Sequence, residues 1–431
     1  MGLDGEAGSI SRRSVLLGLL GAGALSACGG VPAAQELRFW HLMTGGDGKI
    51  MQKMQAAAAA STGVRINTTV LAWGALYYTK LAMASAGGRA PDMAVLHLSR
   101  LPGYAPGGLL DAWDVDLLGE LGAPLDAFPQ SVLRSSQQAG ELFALPLDTH
   151  PFVMFYAPPV LERAGLLGPD RRIVELAGAD RFFEALAEVQ KVTGSYGAAY
   201  GFLSDASQAW RLFWTLYRQT GATMELADAP ARMDPDAAAR AVDFGKRLFD
   251  GTLATGNDSY ASAIASFGAG RSGIYFCGEW ELVSFQELEM DFDMAPFPTV
   301  FDVPAAAADS HVFVLPRRSV VDPAAREATH RYAAALLKES LAWARAGHIP
   351  AYQPVTKSAG YADLMPQSHY TAAQDAVALD PQAWFTGAGS TFQTRMSQAL
   401  SAAWSGGPGT AETVRTLQRE LDTFASKPNP A

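Results

Sequence analysis

Apolar and polar positions divide the chain into a regular series of elements. "ELRFWH" (36–41) predicts a buried strand. "GDGKIMQKMQAAAAASTG" (46–63) predicts a helix, because alanine has high helix propensity and Gly63 suits the stop. "VRINTTVL" alternates like a strand, "ALYYTKLAMASAGG" reads as a helix closing on glycines, and "PDMAVLHL" is a third apolar strand. This β-α-β-α-β order implies parallel strands with helices packed on their faces, an α/β fold.

The pattern changes at "LFALPLDTHPFVMFYAPP" (142–159), where two apolar strands flank a polar "DTH" between prolines. We read it as a crossing between two lobes. A run of helices follows. "DRFFEALAEVQKVTG" is amphipathic, and "SQAWRLFWTLYRQTG" places Trp210, Phe213 and Trp214 at helical spacing. "DPDAAARAVDFGKRLFDG" opens with Asp234 as N-cap and Pro235 at the first helical position. "SGIYFCGEW" predicts a strand running into a helix start, and "SHVFVLP" another strand. "DPAAREATHRYAAALLKESLAWA" predicts one long helix with the same Asp-Pro opening, and the C-terminal part is mostly helical.

The N-terminal stretch "SRRSVLLGLLGAGALSAC" (11–28) changes the picture. Its uncharged run is shorter than the about 20 residues a transmembrane helix needs, and a basic flank with small terminal residues describes an export signal. The Arg12-Arg13 pair resembles a twin-arginine signal, and Leu25-Ser26-Ala27-Cys28 resembles a lipoprotein lipobox. Residues 1–27 are therefore expected to be a signal peptide, with Cys28 lipidated and 28–35 a flexible tether. An ordinary secretory signal with an incidental Cys28 is the alternative. With Cys28 lipidated, the chain is expected to be lipid-anchored on the outer face of a bacterial cytoplasmic membrane.

A chain of 431 residues exceeds one core and predicts two domains. It has only two cysteines, so a lipidated Cys28 leaves Cys277 without a disulfide partner. The net charge of −10 comes without any basic block, which excludes a nucleic-acid partner. No apolar run after Cys28 is long enough to span a bilayer.

In open α/β sheets, ligands sit beyond the carboxyl ends of the strands. The residues expected there are His41, Thr44 and Asp47 after the first strand, Trp73 after the second, and His97, Ser99 and Arg100 after the third. The crossing adds Asp148 and His150. Gly278 and Trp280 follow "SGIYFC", and Ser310 and His311 stand before "VFVLP". Trp210, near its helix start, is a further candidate, while Trp214 and Trp40 are assigned to packing. Donors, acids and large aromatics suit sugars, whose hydroxyls need planar polar partners and whose C–H faces lie on rings. Several of these have structural alternatives: Asp47 as an N-cap, Arg100 in a surface ion pair, Trp73 packed on the sheet.

"PDMAVLH", "GGLLDAW", "LFALPLDTHPFVMFY" followed by "ERAGL", and "SFGAGRSGIYFCGEW" together resemble the family 1 extracellular solute-binding proteins of ABC importers. The resemblance runs from about Glu36 to the C-terminal helices and departs from the family pattern at Ala157, where an asparagine is common. It implies a two-lobed periplasmic-binding-protein-like fold (type II) with a hinge. By the family's chain tracing, residues 36–147 and 308–355 form lobe 1, and 148–307 with 356–431 form lobe 2. It implies a monomeric receptor without cofactor or catalysis, closing on a carbohydrate (an oligosaccharide by the aromatic count) and docking on ABC permease subunits.

Other classes remain alternatives. His41, His97, His150 and His311 fall at strand ends or the crossing, and if they converged they would make a metal-binding receptor. Glu279 and Glu281 flank Trp280, and paired carboxylates serve glycan-processing enzymes, but two residues apart they point in different directions. No nucleophile elbow, Walker loop or dinucleotide-binding glycine pattern occurs. A surface adhesin or scaffold is the third alternative.

Overall fold

The computed structural model describes residues 36–226 and 229–429. The expected export signal, Cys28 and the tether lie outside them. The strand Glu36–His41 pairs in parallel with both Arg65–Val70 and Met93–His97. Helices Gly45–Thr62 and Ala75–Ala86 make the connections. The first stops at Gly63, whose φ of 70° is the left-handed conformation that spares glycine a Cβ clash. His311–Pro316 runs antiparallel beside Met93–His97, and Ala144–Pro146 and Leu110–Asp111 pair with it in turn.

A second sheet is built on the long strand Asp148–Tyr156. Ser272–Gly278, Asp293–Pro296, Ala306–Asp309 and Ile349–Pro350 all pair antiparallel with parts of it. Tyr196–Ala199 adds in parallel to Ser272–Gly278, and Val377–Ala378 to Ala306–Asp309. Successive residues of a strand face opposite ways. Phe152, Met154 and Tyr156 accordingly enter one buried cluster with helices Ala179–Thr193 and Gln208–Gln219, while Val153 and Phe155 enter another with Phe267 and Phe285. The first sheet has its own core around Phe39, Val95 and Phe313.

The chain crosses between the sheets at Leu147, between Ala144–Pro146 and Asp148–Tyr156, and at Ser310, between Ala306–Asp309 and His311–Pro316. It returns to the second sheet after His348, at Ile349–Pro350. The crossings are bonded to one another. The Leu147 N–H donates to the His311 carbonyl at 2.8 Å, and the Ser310 hydroxyl donates to the Asp148 carbonyl at 2.5 Å. The "DTH" triplet is thus part of a continuous strand rather than a loop between two. The expected boundary at 308 falls inside Ala306–Asp309, which pairs within the second sheet.

Two further expectations change. The long helix from Pro323 divides into Pro323–Lys338 and Ser340–Ala344, where the Ser340 hydroxyl takes the Leu337 carbonyl at 2.6 Å. Trp40 is half-buried, with the Lys80 ammonium 5.2 Å from its ring centroid.

Candidate functional site

A cavity of about 280 Å³ opens between the sheets at the crossings. From the first sheet's side it is lined by Leu42, Met43, Thr44, Asp47, Trp73, His97 and His311. From the second come Asp205, Ser207, Gln208, Arg211, Tyr260 and Trp280, and His150 and His348 come from the crossings.

The strand ends place these groups as the α/β rule expects. Thr44 and Asp47 open the helix after the first strand, and Asp47 Oδ2 lies 3.2 Å from His348 Nε2. Trp73 precedes helix Ala75–Ala86 and is 38% exposed, an available aromatic face. Trp280 follows Ser272–Gly278. Its indole N–H donates to the Tyr260 hydroxyl at 2.8 Å, and the Arg211 guanidinium lies over its ring at 4.9 Å. The ring packs so close to Gly278 that a Cβ there would fall 1.8 Å from Trp280 Cζ3. Gly278 itself has a φ of −76°, so space, not a special turn, demands the glycine.

Beneath the cavity stands a buried network centred on Asp148. Its carboxylate meets His150 Nδ1 at 3.0 Å and His311 Nδ1 at 2.7 Å. It also accepts the His311 backbone N–H at 2.8 Å and the Trp343 indole N–H at 2.6 Å. Burial alone would raise this carboxyl, but the adjacent His311 and His150 hold it well below the usual carboxylate range. Burial and His311 push His150 down to about 3, and burial with His311 and His150 lowers His97. Burial would likewise lower His348, yet Asp47, Glu279 and Asp148 together raise it well above its ordinary value. Burial pushes Glu279, 3.2 Å from His348 Nδ1, up to about 8. The Trp343 and His348 rings stack at 4.3 Å and 5°.

The expected site residues therefore divide. Thr44, Asp47, Trp73, His97, His150, Trp280 and His311 meet at the cavity. Asp148 and Ser310 are fully buried and hold the crossings together instead. Ser99 is buried and bonded to Asp309 and to the Ala388 N–H. Arg100 turns to the Thr386 carbonyl at 3.1 Å and the Tyr78 ring. His41 is buried against Gln55, with its Nδ1 accepting from the Met43 N–H. Trp210 is core: wholly buried, stacked on Trp214 at 5.4 Å, its N–H given to Asp380 at 2.8 Å. On that helix Gln208 and Arg211, three apart, take the cleft face instead. Asp205 caps the same helix through the Ser207 and Gln208 N–H groups. An Asp before an amphipathic helix was a readable signal for that cap, but nothing local marks His348.

Among the described residues, two clusters bring potential metal-ligating atoms within 4.8 Å of one another: Asp148, His150, His311 and His348; and His97, His150 and Asp309. The expected histidine convergence thus takes His348 in place of His41. Glu281 accepts from Tyr260 and Ser284, apart from Glu279, and Cys277 is a free, buried thiol pushed up to about 12 by burial.

Several solved structures share this fold. The GacH receptor of Streptomyces glaucescens, solved unliganded and with acarbose, is 16% identical with a TM-score of 0.75, covering 91% of this chain and 98% of that one. The cyclic α-maltosyl-1,6-maltose binding protein of Arthrobacter globiformis is 17% identical with a TM-score of 0.71, covering 91% and 99%. An ABC transporter solute-binding protein of Thermotoga lettingae, bound with α-D-tagatose, is 15% identical with a TM-score of 0.73, covering 91% and 100%. No curated protein matches the chain. The family described as bacterial extracellular solute-binding protein matches residues 51–414, and the chain belongs to that family.

Proposed function

We propose that the chain is the extracytoplasmic receptor of an ABC importer, binding a carbohydrate, of more than one ring by its aromatic count, between two hinged lobes. The lead observation is the cleft wall itself. Trp73 and Trp280 offer aromatic surface, and Asp47, Gln208, Arg211 and the histidines offer planar hydrogen-bonding groups. The ligands of the GacH and Thermotoga lettingae proteins support the reading. We take the lobes as about residues 36–147 with 308–355, and 148–307 with 356–431, the chain crossing between the sheets at Ser310 and again after His348. Cys28 carries the lipid, and the receptor is a monomer that docks on permease subunits without catalysing a reaction.

A sugar touching both walls gains contacts only when the lobes close, so it favours the closed form. Reversing a mostly open population takes about 5.5 kcal/mol of differential binding. Several hydrogen bonds of about 1 kcal/mol each, with ring burial, suffice.

The test is a thermal-shift screen with tagatose, maltose, maltotriose, acarbose, glycerophosphodiesters and divalent metals. A ligand of the native state raises the melting temperature by mass action. A sugar-dependent rise without turnover is expected. Turnover would make it an enzyme, and no response to any sugar would remove the carbohydrate reading.

A further inference from the structure

The histidines at the base of the cleft are arranged for more than sugar hydroxyls. His97 ends its strand, and His150 stands on the crossing strand. Asp309 is the direct cross-strand partner of His150. One ligating atom from each lies within 4.8 Å of the others.

Each of the three is oriented from behind. The Tyr78 hydroxyl meets His97 Nδ1 at 2.8 Å. Asp148 meets His150 Nδ1 at 3.0 Å. Asp309 Oδ1 accepts from the Ser99 N–H at 3.1 Å and the Ser310 N–H at 2.9 Å, and the Ser99 hydroxyl bonds Oδ2. The Nε2 atoms of His97 and His150 have no hydrogen-bond partner among the described residues. A carboxylate has about four lone-pair sites, so Asp309 keeps one on Oδ2. Asp148 has none to spare: two imidazoles, an indole and a backbone N–H already occupy it. It orients ligands, as the outer carboxylate does in carboxylate–histidine–metal arrangements.

We propose that His97, His150 and Asp309 bind a divalent transition-metal ion of the zinc type, with an open coordination position toward the cleft. Two imidazoles and a carboxylate are a donor set for such ions, and three protein ligands leave a fourth position for water or solute. His97 and His150 line the main cavity, which supplies an entry path. A small adjoining cavity of about 20 Å³, bounded in part by His150 and Asp309, has room for one water- or ion-sized occupant.

The test uses untagged full chain, stripped with chelator and titrated with Zn²⁺ and Co²⁺. One equivalent of Zn²⁺ by elemental analysis, and d–d absorption of Co²⁺ that Zn²⁺ abolishes, are expected. Asp309→Asn and His97→Gln should each weaken Zn²⁺ by more than the about 10–100-fold that loss of an outer partner brings. His369→Ala, a histidine elsewhere, should leave binding unchanged. Circular dichroism checks that each variant folds, and if one does not, the other carries the comparison. No Co²⁺ spectrum at millimolar metal, or binding indifferent to both substitutions, overturns the site. The sugar screen is read separately: a metal response with no sugar response retires the carbohydrate reading and leaves this site standing, and the reverse result does the opposite.

Discussion

Three consecutive residues, Gly278, Glu279 and Trp280, show how single positions shape this wall of the cleft. Gly278 has ordinary backbone angles, yet any Cβ would occupy the Trp280 ring. Gly278→Ala should therefore lower stability by roughly 1–3 kcal/mol, as overpacking does, and reduce affinity by moving the indole. Trp280→Ala should weaken binding of the best panel sugar by roughly 1.5–3 kcal/mol. Calorimetric titration and urea melts on both variants check this, and normal affinity in both would place Trp280 outside the site. Glu279 is a buried acid raised to about 8. Between its ordinary value near 4.5 and about 8, the folded chain holds a proton that the unfolded chain has released. Its contribution to stability therefore falls as pH rises through that window, by up to about 1.4 kcal/mol per pH unit. Glu279→Gln should lessen the loss of stability between pH 5 and 8, read from melts across that range, and an unaltered profile would show that Glu279 does not titrate there.

At the scale of the element, helix Gln208–Gln219 carries a packing face and a face turned to the cleft. Trp210, Phe213, Trp214 and Tyr217 enter the core, while Gln208 and Arg211 reach the cleft. Trp210→Ala should cost about 3–5 kcal/mol of stability. Arg211→Ala should leave the melt nearly unchanged and weaken sugar binding by about 1.5–3 kcal/mol, the scale of a hydrogen bond to a charged group. Urea melts and titration on the pair separate the roles, and equal stability losses would contradict the division of faces.

At the scale of the whole molecule, the bonded crossings at Leu147 and Ser310, with His348 beside them, form a compact pivot. Small-angle scattering should show contraction when a binding sugar saturates the protein. Binding with an unchanged radius of gyration would rule out hinge closure. Cys28→Ala should release the protein from the membrane fraction without altering sugar affinity. A variant still membrane-bound after signal cleavage would remove the lipid anchor.

Much of this was legible in the sequence because it is local. Apolar periodicity and Asp-Pro openings located the helices Ala179–Thr193, Gln208–Gln219 and Pro235–Leu248, and the strands at the cleft. Strand carboxyl ends pointed to Thr44, Asp47, Trp73, His97 and Trp280, since an open α/β sheet places its ligand site there, and the predicted crossing and the segment before "VFVLP" pointed to His150 and His311. Tertiary structure decided the rest. Which face of a tryptophan-rich helix is core depends on what packs against it, so Trp210 was misplaced and Arg211 missed. Asp148 and Ser310 carry polar groups suited to a ligand, but the crossing strands bury them. His348 reaches the site only because Gly347, at a φ of 111°, lets its turn pass against the Glu279 carbonyl. Such contacts join residues far apart in the chain, and local pattern holds no record of them.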